Sequence, residues 1–208
     1  MNKDISTEQK IKEAARSVFI SKGFSGCSTR EIAKAAGMNV ALVNYYFRSK
    51  SQLFQLIFNA AMDDFTNTMV EVFGRDLSLP EKMRILIEKE YEFLSRHPEL
   101  PAFVIQETNR ESSISNDNAG FFEKISKTGI FEQCIEAQQK GEMREIGIFN
   151  MTLLILSNCH YPFMSRNMMK GMLKIDDSQL FPNIEEHKKH VSELLIAYLF
   201  PKNSTNDV

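Results

Sequence analysis

Residues 28–53, STREIAKAAGMNVALVNYYFRSKSQL, hold two short helical patterns separated by a single glycine. Ser28 and Glu31 stand three apart, as do Ser49 and Gln52, and each pair has the spacing of a capping box, in which two side chains satisfy amides left free at a helix start. Ile32, Ala33 and Ala36 then repeat at helical spacing until Gly37 interrupts. Gly37, Met38 and Asn39 form a turn: glycine reaches positive φ without a Cβ clash, and Asn39 can cap the helix that follows. Val43 and Phe47, four apart, give that helix an inward edge. Ala41, Leu42, Asn44, Tyr45 and Tyr46 are left on its outer or flanking faces. This is the layout of a helix-turn-helix, whose second helix enters the major groove of a duplex while the first crosses the backbone.

The pattern extends in both directions. Upstream, Ser6 and Gln9 repeat the capping spacing, and Ile11, Ala14, Ala15, Val18 and Phe19 mark a supporting helix that Gly23 ends. Phe24 is placed to plug the three-helix core beside Ile32, Val43 and Phe47. Downstream, Leu53, Leu56, Ile57, Ala60, Ala61, Phe65, Met69 and Val72 predict one long helix from Ser49 to Gly74. Pro80 opens another, with Met83, Ile87, Tyr91 and Leu94 on one stripe, and Pro98 closes it. A short helix over residues 102–110 follows, and residues 111–118, ESSISNDN, have loop composition. One pattern then runs through Phe122, Ile125, Ile130, Phe131, Cys134 and Ala137 to Gly141. Residues 148–169 form the most apolar helical stretch, which Pro162 should kink or interrupt. Residues 171–183 read as a linker, and a last helix spans about 185 to 200. No segment alternates as a strand and no repeat appears, so the fold class is all-α.

With 208 residues, 43% of them hydrophobic, the chain can bury a substantial core. The net charge of −2 conceals an asymmetry: residues 1–50 carry nine Lys/Arg against four Asp/Glu, net +5, leaving 16 and 23 of the chain's 25 and 27, net −7. Phosphate contact is therefore expected at the cationic N-terminal end. No run approaches the roughly 18 apolar residues of a membrane span, and MNKDISTEQK lacks the apolar middle of a signal peptide, so a cytoplasmic protein is expected. Cys27, Cys134 and Cys159 are odd in number and have no C-x-x-C spacing, which argues for reduced, buried thiols rather than disulfides or a zinc site.

A catalytic reading needs a nucleophile with its base, paired carboxylates, a metal cluster or a phosphate-cradling loop, and the sequence offers none. His187 and His190 in HKKH form a solvated face rather than a metal site. His160 suits a core or pocket position. No catalytic residue, metal or cofactor is expected. Eleven methionines and sixteen phenylalanines without a tryptophan give the C-terminal part an adaptable interior, suited to a pocket.

The segment TREIAKAAGMNVALVNYYFRSKSQL resembles the N-terminal DNA-binding domain of the TetR family of bacterial transcriptional regulators, with glycine, tyrosine, phenylalanine and Ser-Lys-x-x-Leu in register. The resemblance covers about the first quarter of the chain. It implies a helix-turn-helix DNA-binding domain over residues 1–50 and a helical ligand-binding and dimerisation domain over residues 51–208. Thr29, Arg30, Tyr45, Tyr46 and Lys50 match backbone-contacting positions, and Val40, Ala41, Leu42 and Asn44 match base-contacting ones. Position 40 is usually polar and position 44 often tyrosine in the family, so sequence preference does not transfer, and a helical wheel sets Val40 beside the core edge.

By the same analogy Phe103, Phe122, Phe131, Met151 and His160 are candidates to line an effector pocket, although each would serve equally in a plain core. Leu153, Leu156, Val191, Leu194, Leu195 and Tyr198, on the last two apolar helices, are candidates for a homodimer interface. The partners implied are double-stranded operator DNA, a twin chain and a small-molecule effector that tilts the long helix from Ser49, spoiling the match of two heads to grooves about 34 Å apart. The competing expectation is a helical small-molecule-binding protein whose DNA-binding motif is degenerate.

Overall fold

The computed structural model describes residues 6–102, 104–105 and 115–201. Its numbered elements are all helical: α1 (Thr7–Lys22), α2 (Thr29–Ala35), α3 (Val40–Phe47), α4 (Lys50–Gly74), α5 (Leu79–Arg96), α6 (Ser115–Ser126), α7 (Ile130–Gln139), α8 (Ile148–Met164), α9 (Arg166–Leu173) and α10 (Asp177–Leu199). A short helical stretch also begins at Leu100. No described helix is long and apolar enough to cross a membrane.

Side-chain caps fix the head. The Ser6, Asn39 and Ser49 side chains accept the amides of Gln9, Leu42 and Gln52 at 3.2, 2.7 and 3.1 Å. At α2 the box closes in both directions, with the Glu31 amide donating to Ser28 Oγ and the Ser28 amide to Glu31 Oε2. Gly37 takes φ +68°, the value the turn between α2 and α3 requires. Val43 and Phe47 point into a core with Ile11, Ala15, Phe19, Ile32 and Ala33, while Phe24 packs against its edge. That core continues past residue 50 onto the first turns of α4, through Leu53, Phe54 and Phe58.

Three expectations change in the body, and the break expected at Pro162 falls just after it. Residues 115–118, read as loop, are the first turn of α6; residues 111–114 and 106–110 lie outside the described set. The single helix expected through Gly141 is two, because Gly129 at φ +74° turns the chain between α6 and α7. α8 runs through Pro162 and stops two residues later, at Met164. Proline has no amide to give the carbonyl of Asn158, one turn back, and the Tyr91 hydroxyl donates to that oxygen at 3.3 Å instead. Finally, residues 171–183 are not a linker. They contain the end of α9 and the start of α10, where Asp176 and Gln179 close a capping box that the composition of the stretch concealed.

The body's core joins α5, α7, α8 and α10 through Ile87, Tyr91, Leu94, Cys134, Cys159, Phe163, Val191, Leu195 and Leu199. A second cluster links α4 to α6 and α7. Lys82, buried, donates to the carbonyl of Phe73 and to Gln133, each at 2.9 Å, so a cation sits at the carbonyl end of α4 where the helix dipole favours it. All three cysteines are unpaired and buried.

Candidate nucleic-acid interface and inner cavity

The outer face of α3 is open. Ala41, Asn44, Tyr45 and Tyr46 are exposed, Tyr45 most of all at 80%, and its ring meets that of Tyr46 edge-on at 5.5 Å. Leu42 is half-buried. Val40 is also half-buried and packs against the head core, so its side chain leans inward, as the wheel predicted. Arg30 is exposed at the start of α2 beside half-buried Thr29. Between α3 and α4, Arg48 holds a positive φ of 56°, a conformation a non-glycine residue keeps only under constraint from its surroundings. Lys22 reaches Glu31 at 2.5 Å, and with the Ser28 bonds this holds the Glu31 carboxyl down at about 2.

Lys50 has a second engagement that the sequence did not signal. Its ammonium donates to the carbonyls of Phe24 at 2.6 Å and Cys27 at 2.9 Å and lies 4.2 Å from the centre of the Phe24 ring. It therefore ties the loop between α1 and α2 to the start of α4. Among the described residues, two of its three ammonium hydrogens serve these carbonyls.

The head meets the body at Leu100, which is buried in the head core, and at Val104 and Phe93, which pack against it. Beside them Arg16 of α1 approaches His97 Nε2 at 3.4 Å. Burial first, then the guanidinium groups of Arg16 and Arg96, push the His97 imidazole down to about 4. Burial raises the carboxyl of neighbouring Glu99, whose Oε2 is enclosed without a hydrogen-bond partner.

Within the body, α4 to α8 together with Leu100, Pro101, Val104 and Ile105 line a half-open cavity of about 690 Å³, within the size range of small-molecule sites. Phe122, Phe131, Met151 and His160 all line it. Phe103 lies outside the described residues. Sequence reading missed Glu90, a buried carboxylate in the cavity wall whose Oε2 is 3.4 Å from His160 Nε2. A signal was available: Glu90 interrupts the buried stripe Met83, Ile87, Leu94 at helical spacing.

The residues expected at a subunit interface divide. Leu153, Leu156, Leu194 and Tyr198 are exposed on α8 and α10, and Leu153 and Leu156 also border the cavity. Val191 and Leu195 are not available to a partner, because both are buried in the protomer's own core. They lie on the side of α10 that faces α5 and α8. No group of three or more potential metal ligands occurs among the described residues.

A family model described as bacterial regulatory proteins, tetR family, matches residues 11–57, the span of the head core onto α4. The "Probable HTH-type transcriptional regulator YttP" of Bacillus subtilis is 32% identical over 139 residues, covering 65% of this chain and 66% of the relative. The "HTH-type transcriptional repressor NicS" of Pseudomonas putida is 29% identical over 175 residues, 82% of each chain. Among solved structures, the transcriptional regulator FadR of Bacillus subtilis, in complex with stearoyl-CoA, shares the fold with a TM-score of 0.62 at 23% identity, over 90% of this chain and 97% of that one.

Proposed function

The chain belongs to the TetR family of bacterial transcriptional regulators, a DNA-binding class, and we propose that it acts as a homodimeric, ligand-responsive repressor on a near-palindromic operator. The observation that carries this reading is the open face of α3, where Asn44, Tyr45 and Tyr46 stand exposed while Val43 and Phe47 anchor the same helix in the head core. Residues 1–50 read DNA and residues 51–208 bind effector and partner. Thr29, Arg30, Tyr45, Tyr46 and Lys50 hold the backbone, and Ala41, Leu42 and Asn44 meet base edges, Asn44 through adenine N6 and N7. Val40 contributes an edge of the helix, with most of its side chain committed to packing. The protein works by binding and not by catalysis, in the cytoplasm.

Two copies pair through the exposed apolar faces of α8 and α10, at Leu153, Leu156, Leu194 and Tyr198. An effector in the cavity displaces α4 and the stretch from Leu100, so that the two heads no longer fit successive major grooves. Selection of bound genomic fragments followed by footprinting tests the reading. A protected near-palindrome, with half-sites one helical turn apart, is expected. If the protein binds small molecules but protects no sequence, it is a carrier with a degenerate head instead.

A further inference from the structure

Resting on the effector cavity proposed above, we infer that its ligand is a hydrophobic cation: an apolar body carrying one amine, quaternary ammonium or comparable positive group. Glu90 and His160 are the reason. Among the described residues lining the cavity, Glu90 is the one carboxylate, and no lysine or arginine is present. Glu90 is only 7% exposed. With His160 3.4 Å away, the pair carries a charge of −1 when the imidazole is neutral and zero when it is protonated. In neither state does it offer positive charge to a ligand.

An ionised carboxylate in an apolar enclosure is costly unless compensated. A ligand with a carboxylate or phosphate would bring a second negative charge beside Glu90, with no lysine or arginine among the described lining residues to meet it. A neutral ligand would fill the volume and leave Glu90 as it stands. A cation supplies the counter-charge that Glu90 lacks whenever the imidazole is neutral. The wall also holds aromatic side chains, among them Phe93, Phe121, Phe131 and Tyr161, and ring quadrupoles attract positive charge. Glu90 thus sets the sign of the ligand, and the rings select for an apolar body.

Tetraphenylphosphonium and tetraphenylborate are matched in shape and opposite in charge, and triphenylphosphine oxide is a neutral companion. Calorimetric titration of each into the full-length protein at neutral pH tests the inference. Tetraphenylphosphonium is expected to bind about tenfold more tightly than tetraphenylborate, with the neutral probe between them. Glu90→Gln keeps a hydrogen-bonding partner for His160 and should cut that ratio about fivefold or more, with little change for the neutral probe. A melting curve establishes that the variant is folded. Tighter or equal binding of tetraphenylborate, or a ratio unchanged in Glu90→Gln, overturns the cation assignment while the cavity remains a binding site. If none of the three probes binds, the effector cavity itself is refuted.

Discussion

The head and the body solve opposite packing problems. The head is small and closely packed: Phe19, Phe24 and Phe54 meet at ring separations of 4.8 to 6.0 Å, and residues 1–50 carry a net charge of +5. The body has residues enough for a full core yet keeps about 690 Å³ open in its middle. A surface that reads a rigid duplex gains from helices held at fixed angles by caps and close-packed rings. A chamber that accepts a diffusible molecule gains from Met-rich and Phe-rich walls that repack. On the proposed reading, the regulator's two tasks fall to a filled unit and a hollow one.

The strongest way to break that contrast is Phe19→Ala, which removes a side chain only 1% exposed from the centre of the head. A loss of about 3–5 kcal/mol in urea unfolding and loss of operator binding are expected. Ligand binding by the body should persist, and its disappearance would mean that the two units do not stand apart. Lys50→Ala removes the tie to the Phe24 and Cys27 carbonyls and should cost the head about 1.5–3 kcal/mol. It should also lower the salt slope of DNA binding by about one. Salt titration by anisotropy checks this, and an unchanged slope confines Lys50 to the structural tie.

The junction gives a pH test. Because the folded His97 titrates near 4 and an unfolded histidine near 6.5, the unfolded chain takes up a proton that the folded chain refuses between those values. Stability should therefore fall as pH drops through that window, by about 2 kcal/mol between pH 7 and 5. Raised Glu99 works in the opposite sense, so the comparison with His97→Gln at both pH values isolates the imidazole. Equal pH slopes in the two proteins would count against it. The smallest effect sharpens the body side: Tyr91→Phe leaves the Asn158 carbonyl without its donor and should cost about 0.5–1.5 kcal/mol, with operator affinity untouched.

The same contrast explains what the sequence made legible. Head elements are set by rules acting over three or four residues, so the Ser28, Asn39 and Ser49 caps and the Gly37 turn could be read directly and stand as expected. The body depends on contacts far apart in the chain. Residues 171–183 look like a linker until α10 is seen packing its Leu180 and Ile184 into the core. Val191 and Leu195 have the periodicity of any buried stripe, which does not tell whether the partner surface lies within the chain or on another one. Of the residues read as pocket candidates, Phe122, Phe131, Met151 and His160 lie in the cavity wall, beside others such as Phe93 and Phe121 that no local pattern set apart from plain core. Glu90 escaped because a carboxylate on a helix is normally solvated, and its enclosure comes from α8 across the cavity.

Leu100 and Val104 serve as masonry in two adjoining rooms, lining the chamber on one side and bracing the reading unit on the other. Interiors packed to crystal-like density pass a displacement on rather than absorbing it. Variants at this short stretch should then yield regulators that are permanently on or permanently deaf to inducer, although the altered side chains touch neither nucleotide nor inducer. A genetic screen for such phenotypes would be expected to find them grouped here.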